Sequence, residues 1–123
     1  MDILLIDDDL QNQDQIKQFI LQIDPTHEIT TCHSSVDAQK HLRKKKFDLI
    51  ISEVYLKGGL QGNELMYEVS NDDSFKVGMA ELLLKPQIRI AFNEFLIKPI
   101  TKKKIEDVLT KAKYNLTFLQ KFQ

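Results

Sequence analysis

The chain has one cysteine, three prolines and four glycines in 123 residues, and it contains no tryptophan. A single cysteine excludes an internal disulfide, and no cysteine and histidine residues have the spacing typical of a zinc site. No apolar run approaches the roughly 18 residues of a membrane-spanning helix, and the N-terminus does not resemble a secretory signal. We therefore expect a cytoplasmic location, no membrane association, and a core or boundary position for Cys32.

The chain also lacks a strong excess of charge of either sign. Its formal net charge is -1 at pH 7, with 28% charged and 42% hydrophobic residues. The charge balance argues against nucleic-acid binding, whereas the length and the apolar fraction suffice for a core without disulfides or metal. We predict a single domain that spans residues 1–123.

Short apolar or β-branched runs alternate with segments of helical periodicity. Strands are predicted at residues 3–6, 28–32, 47–54, 75–80 and 94–97. The first of them is typical of a strand buried on both faces, and we expect it at the centre of the sheet. The first helix is predicted to end before Pro25, and the second to begin after Ser34 or Ser35. A third helix is predicted to contain Leu65 and Met66, and the last helix to begin after Thr101. Pro86 predicts a short or broken helix between residues 81 and 92.

This alternation predicts an α/β fold, with a doubly wound parallel sheet that helices cover on both faces. In such sheets, binding sites form at the carboxyl ends of the strands. Asp7, Asp8, Glu53 and Lys98 each follow the interior of a predicted strand. Three acids and one cation are therefore expected to converge at one edge of the sheet.

Four separated segments resemble the receiver domains of bacterial two-component response regulators. They are ILLIDDD at residues 3–9, DLIISE at 48–53, LKGGLQGNEL at 56–65 and FLIKPI at 95–100. The resemblance extends over nearly the whole chain and rests on the order and spacing of these segments. It implies a flavodoxin-like (βα)5 fold with strand order 2-1-3-4-5.

The resemblance also implies roles for individual residues. Asp7 and Asp8 fall on the positions that hold Mg²⁺, and the backbone carbonyl of Tyr55 would complete the protein ligands. Lys98 falls on the lysine that contacts the phosphoryl group, and the peptide bond before Pro99 is expected to be cis. Like-charge repulsion among the acids predicts a raised pKa for at least one carboxyl group without metal, and we expect Mg²⁺ binding to be weak.

Glu53 occupies the position at which receivers have their phosphorylated aspartate. Its additional methylene displaces the carboxylate by ~1.5 Å, and a misplacement of about 1 Å costs ~100-fold in rate. Stable phosphorylation of Glu53 is therefore not expected, and the chain is interpreted as a pseudo-receiver. The fixed charge of Glu53 either mimics activation or is that of a silent structural acid.

The two switch positions of receivers carry no hydroxyl group in this chain. The position of the serine or threonine in the fourth strand falls on Ala80 or Met79, and the aromatic position in the last strand falls on Phe95. Phe95 either rotates between packed and exposed states or is an ordinary half-buried strand residue.

Contact with another protein is the leading functional hypothesis, and enzymatic activity is not expected. The expected partners are a histidine kinase, a phosphotransfer protein or an effector protein. The resemblance places the contact surface on the last strand and the last two helices, including Phe95, Leu116, Leu119 and Phe122. A homodimer through this surface is an alternative, and Leu116 is expected to pack on its own sheet instead.

Two further alternatives use the polar residues differently. Asp7 and Asp9 after a hydrophobic strand are also typical of a haloacid-dehalogenase-like Mg²⁺-dependent phosphatase, with Lys98 as its lysine. Gln11 argues against this, because such enzymes usually have threonine or valine there. The other alternative is phosphorylation of another acid or of Ser52. Because successive side chains of a strand point to opposite faces, Ser52 is expected on the face opposite to Glu53, which argues against its phosphorylation.

Overall fold

The computed structural model describes residues 1–121, in which five strands alternate with five helices. The strands are β1 (Asp2–Ile6), β2 (Glu28–Cys32), β3 (Leu49–Glu53), β4 (Phe75–Ala80) and β5 (Glu94–Ile97). The helices are α1 (Leu10–Ile23), α2 (Ser35–Lys44), α3 (Gly62–Glu68), α4 (Pro86–Arg89) and α5 (Lys102–Gln120). All the predicted strands are present, although β3 is shorter than predicted at both ends.

The strands form one parallel sheet in the order β2-β1-β3-β4-β5. This order confirms the predicted α/β, flavodoxin-like fold. The prediction that β1 is the central strand was wrong, because the chain places β3 in the middle and β1 between β2 and β3. The strand order reverses between β1 and β3, so the predicted binding edge lies where these two strands end.

Side chains of the interior strands alternate between two cores on opposite faces of the sheet. Leu5 points into a core that α1 and α5 cover, and its neighbour Leu4 points into a core that α2, α3 and α4 cover. Neither leucine has any exposed surface. Because both faces of the sheet are covered, the strands consist of nearly continuous apolar runs.

Side chains at the start of the helices satisfy backbone N–H groups that have no partner within the helix. Asp9 accepts hydrogen bonds from the backbone of Gln11 and Asn12, Ser34 from Asp37, and Thr101 from Lys104. Ser34, and not Ser35, is therefore the cap of α2. Helix α4 is a single turn that begins at Pro86, as the predicted short helix requires.

Helix α5 presents an apolar stripe to the sheet. Its buried residues are Ile105, Val108, Leu109 and Ala112. Leu116 and Leu119 are half-buried and line a cleft beside Phe47, which agrees with packing of Leu116 on its own domain. The predicted contact residue Phe122 lies outside the described residues. No helix in residues 1–121 combines the length and the apolar composition needed to cross a bilayer.

Candidate functional site

The carboxyl ends of three strands bring Asp7, Glu53 and Lys98 to one edge of the sheet. Asp7 directly follows β1, Glu53 ends β3, and Lys98 directly follows β5. The backbone N–H of Asp7 donates to the carbonyl of Cys32 at 3.1 Å, and that of Lys98 donates to the carbonyl of Ala80 at 2.9 Å. These bonds continue the strand ladders by one residue and fix where the Asp7 and Lys98 side chains begin.

Glu53 and Lys98 form a close ion pair. The distance from Glu53 Oε2 to Lys98 Nζ is 2.6 Å, and the two side chains are 8% and 20% exposed. Burial raises the pKa of Glu53, and the positive charge of Lys98 opposes this shift only in part. Burial would lower the pKa of Lys98, but the adjacent Glu53 carboxylate, together with the charges of Asp7 and Asp9, more than offsets it, so the pKa of Lys98 is raised. Lys98 is therefore held as a cation next to Glu53.

Asp7 is the most deeply buried acid of the site, with no exposed surface. Its Oδ1 accepts a hydrogen bond from the backbone of Asp9 at 2.9 Å, and its Oδ2 accepts one from the Asn12 side chain at 2.6 Å. Burial raises the pKa of Asp7, although these hydrogen bonds and Lys98 oppose the shift. The predicted rise in carboxyl pKa is thus present in both Asp7 and Glu53, but burial is its largest cause and like-charge repulsion a smaller one.

The side chains of Asp8 and Asp9 accept hydrogen bonds from backbone N–H groups around the site. Asp8 Oδ2 accepts a hydrogen bond from the backbone N–H of Lys57 at 2.9 Å, which connects the end of β1 to the loop after β3. Asp9 Oδ1 accepts the hydrogen bonds that begin α1 and is exposed. The use of Asp9 as a helix cap gives no support to its role as the acid of a haloacid-dehalogenase-like phosphatase.

Asp7 and Asp8 are suitable ligands for a magnesium ion at this edge, since both offer the carboxylate oxygens that Mg²⁺ prefers. Among residues 1–121, Asp7, Asp8 and Glu53 do not form a group whose ligand atoms all lie within 4.8 Å of one another. The oxygens of Glu53 are drawn to Lys98 instead. Tyr55 lies two residues beyond Glu53 with an exposed side chain, and the use of its carbonyl as a metal ligand stays a prediction.

The two candidate positions at the end of β4 lie on opposite faces of the sheet. Met79 is in register with Glu53 and belongs to the core under α1 and α5, whereas Ala80 belongs to the opposite core. Neither side chain offers a hydroxyl group. Phe95 is half-buried and packs against the same core as Ala80, and a switching role for either residue stays a prediction.

Gly62 allows the start of α3 to approach the end of β3. Its N–H donates to the carbonyl of Val54 at 2.8 Å, and a Cβ atom at this position would collide with the backbone oxygen of Glu53. Ser52 is fully buried, and its hydroxyl donates to that same oxygen of Glu53 at 2.9 Å. Because Ser52 is buried and engaged, the structure gives no support to its phosphorylation.

A groove of about 630 Å³ opens beside the site. It is lined by Glu53 and Tyr55, by residues 81–85 between β4 and α4, and by Ile88 of α4. Leu82 and Leu83 on this segment are strongly exposed. The groove therefore joins the acidic edge of the sheet to an apolar loop.

No protein-family model and no curated protein sequence matches the chain, but solved structures do. A two-component response regulator from Clostridium difficile is 24% identical with a TM-score of 0.77, and 95% of this chain aligns with 96% of that one. The fold is that of response regulator receiver domains. The response regulator TrrA of Thermotoga maritima, solved with Mg²⁺ and BeF, is 19% identical with a TM-score of 0.79, over 90% of this chain and 97% of that one.

A third similar structure is an uncharacterized protein from Neptuniibacter caesariensis. It is 21% identical with a TM-score of 0.84, and the similarity covers 98% of this chain and 91% of that chain. At these identities the receiver fold is shared, and no residue role is transferred with it. The peptide bond between Lys98 and Pro99 is cis, as the resemblance to receivers predicted.

Two polar residues of the site were missed in the sequence. Asn12 donates to Asp7, and Gln13 is buried with its amide donating to the carbonyls of Leu5 and Cys32. Both residues lie in the first turn of α1, five and six positions after Asp7. Their position was the signal that could have identified them, because polar residues in the first turn of a helix that begins at the carboxyl edge of a sheet lie close to the site.

Proposed function

We propose that the chain is a two-component signalling protein, a cytoplasmic pseudo-receiver that acts by protein contact and is not phosphorylated at Glu53. The observation that supports this most directly is the ion pair of 2.6 Å between Glu53 and Lys98. In this proposal the Glu53 carboxylate neutralises the cation that would otherwise contact a phosphoryl group. Breaking a buried ion pair costs on the order of a few kcal/mol, so attack on a phosphodonor is opposed at its first step.

Two other features support a fixed state of the site. The nonpolar side chains of Met79 and Ala80 offer no hydroxyl group to a phosphoryl oxygen, so a phosphoryl-dependent movement of the loop after β4 would have no hydrogen bond to drive it. Asp8 already connects this edge to the backbone of Lys57. In this proposal the site holds one conformation permanently, with Glu53 supplying a single negative charge.

Weak Mg²⁺ binding by Asp7 and Asp8 forms part of the proposal. The buried Asp7 carboxylate, with its raised pKa, has no cation in direct contact within the described residues, and a bound ion would compensate its charge. The ion would neutralise the acids at this edge and bring no reaction of its own.

The proposed contact surface comprises α4, β5 and α5, together with the loop before α4. Leu82, Leu83 and Ile90 are strongly exposed around the single turn of α4, and Tyr114 is exposed on α5. Clustered exposed apolar side chains are typical of protein contact sites. A histidine kinase, a phosphotransfer protein or an effector protein is the proposed partner, and a second copy of the chain is the alternative.

Acetyl phosphate with Mg²⁺, followed by intact mass measurement, tests the central claim. We expect no phosphoryl adduct on the wild-type chain and one adduct on the Glu53→Asp variant, because the shorter side chain releases Lys98 and moves the carboxylate by ~1.5 Å. The Glu53→Gln variant is the matched control, since it keeps the length of the glutamate and lacks a nucleophile. One phosphoryl group on the wild-type chain would overturn the proposal.

A further inference from the structure

A thiol, a carboxylate and an imidazole converge between α2 and β2, the edge strand opposite the β5 strand that Lys98 follows. Cys32 ends β2, and Asp37 and His41 lie one helical turn apart on α2. One potential ligand atom of each side chain lies within 4.8 Å of the other two. In the part of the chain that the structure describes, no other three His, Cys, Asp or Glu side chains meet this condition.

We propose that Cys32, Asp37 and His41 bind a divalent cation of the Zn²⁺ class. The metal–ligand bond lengths of tetrahedral zinc imply separations of about 3.3–3.7 Å between ligand atoms. Asp37 Oδ1 and His41 Nε2 are 3.9 Å apart, so this pair needs to close by only a few tenths of an ångström. Three protein ligands leave a fourth position for water, and the half-exposed Asp37 and His41 side chains give the ion access from solvent.

The backbone on which these ligands stand is held in place. The Cys32 carbonyl accepts hydrogen bonds from the Asp7 backbone at 3.1 Å and from the Gln13 side chain at 2.8 Å. The backbone N–H of Asp37 donates to the Ser34 cap at 3.1 Å, and His41 follows on the same helical face. Ligands fixed on a strand end and a helix lose little freedom when a metal ion binds.

The ligand types separate this site from the acidic edge. Thiolate and imidazole ligands favour Zn²⁺ and Co²⁺, whereas carboxylates alone favour Mg²⁺. The Asp7 and Asp8 site offers oxygen only, so the two sites are expected to take different ions.

The same three residue types also occur in nucleophilic sites, but the state of Cys32 opposes that use. Cys32 has no exposed surface, and burial, with the nearby Asp37 carboxylate, raises the pKa of its thiol to about 12. A protonated and inaccessible thiol is a poor nucleophile. A metal ion can displace the thiol proton on binding, which makes the affinity increase with pH.

Co²⁺ titration of the full chain, followed by absorption spectroscopy, tests the proposal. Cys32 is the single cysteine, so a thiolate-to-cobalt charge-transfer band reports binding at this residue alone. We expect one Co²⁺ per chain and displacement by Zn²⁺. His41→Gln and Asp37→Asn should each weaken Co²⁺ binding by at least about 100-fold, because loss of a direct ligand costs no less than loss of an outer-sphere partner, which costs roughly 10–100-fold.

His33→Gln is the matched control, because His33 is adjacent to Cys32, exposed, and outside the group of three. Its Co²⁺ affinity should equal that of the wild-type chain. Circular dichroism checks that each variant is folded, and the substituted side chains at Asp37 and His41 are half-exposed. Absence of the charge-transfer band at excess Co²⁺ overturns the proposal, and so does a band that either ligand substitution leaves unchanged.

Discussion

Burial raises the pKa of two acids at the carboxyl edge, Asp7 and Glu53. Asp7 has no exposed surface and Glu53 has 6%, and for both residues removal from water is the largest cause of the raised pKa. Lys98 contacts Glu53 directly at 2.6 Å, whereas Asp7 relies on hydrogen bonds from Asp9 and Asn12. Of these two acids, Glu53 has a cation in direct contact and Asp7 has none within the described residues.

Asp7→Asn should change how stability depends on pH. The pKa of Asp7 is raised above its ordinary value of 3.8, so between these two values the folded chain binds more protons than the unfolded chain. The Asp7 contribution to the free energy of unfolding is thus fully present below pH 3.8 and is lost as the pH rises through the folded pKa. Urea unfolding from about pH 4 to pH 7 should show a smaller loss with rising pH in Asp7→Asn than in wild type.

The comparison of the two curves reports the titration of Asp7 together with its smaller electrostatic effect on the pKa values of Glu53 and Lys98. Under the proposal of weak Mg²⁺ binding, saturating Mg²⁺ should reduce the slope of the wild-type curve and leave the variant unchanged, since the ion binds the ionised carboxylate. Parallel curves for the two chains without Mg²⁺ would contradict the assigned role of Asp7.

At the scale of elements, the connection from β3 to α3 depends on a close backbone approach. Gly62 is the first residue of α3, and its missing side chain leaves room for the backbone oxygen of Glu53. The same oxygen accepts the Ser52 hydroxyl, so the end of β3 cannot move away without loss of a buried hydrogen bond.

Gly62→Ala should lower the free energy of unfolding by about 1–3 kcal/mol, as overpacking of a tight contact does. Alanine ordinarily stabilises a helix by roughly 1 kcal/mol relative to glycine. A decrease in the free energy of unfolding would therefore indicate that the new Cβ atom collides with the backbone oxygen of Glu53. Urea unfolding measures the effect, and NMR shifts of Ser52 and Glu53 should change with it.

Asn63→Ala is the matched control, because it places alanine one residue further along α3 without the close approach. It should leave stability unchanged or raise it by up to roughly 0.7 kcal/mol. A Gly62→Ala variant as stable as the Asn63→Ala variant would show that α3 does not approach β3 this closely.

At the scale of the whole molecule, one sheet joins two separate cores. Helices α1 and α5 cover one core, and α2, α3 and α4 cover the other. Each interior strand contributes side chains to both cores, so disruption of one core also weakens the strands that form the other. The described residues should therefore unfold as one cooperative unit.

Leu4→Ala and Leu5→Ala test this coupling with adjacent residues of one strand that face opposite cores. Each substitution should lower the free energy of unfolding by about 2–5 kcal/mol, the cost of a cavity in a packed interior. Far-ultraviolet and near-ultraviolet circular dichroism should follow a single urea transition in both variants. Two separated transitions in either variant would show that the cores unfold independently.

The sequence by itself determined the alternation of strands and helices, the cap at Thr101, the short α4 at Pro86, and the edge at which Asp7, Glu53 and Lys98 meet. Strand and helix periods, capping and proline effects act over a few residues, and parallel topology then places the strand ends on one edge. These features are therefore readable before any distance is known.

Only the tertiary structure decided which of the acids pairs with Lys98, and that Cys32 meets Asp37 and His41. Each of these depends on where the chain crosses over and on how a helix is rotated against the sheet. The burial that raises the pKa of Asp7 and Glu53 has the same origin. Such distances are set by packing between distant parts of the chain, which no local pattern encodes.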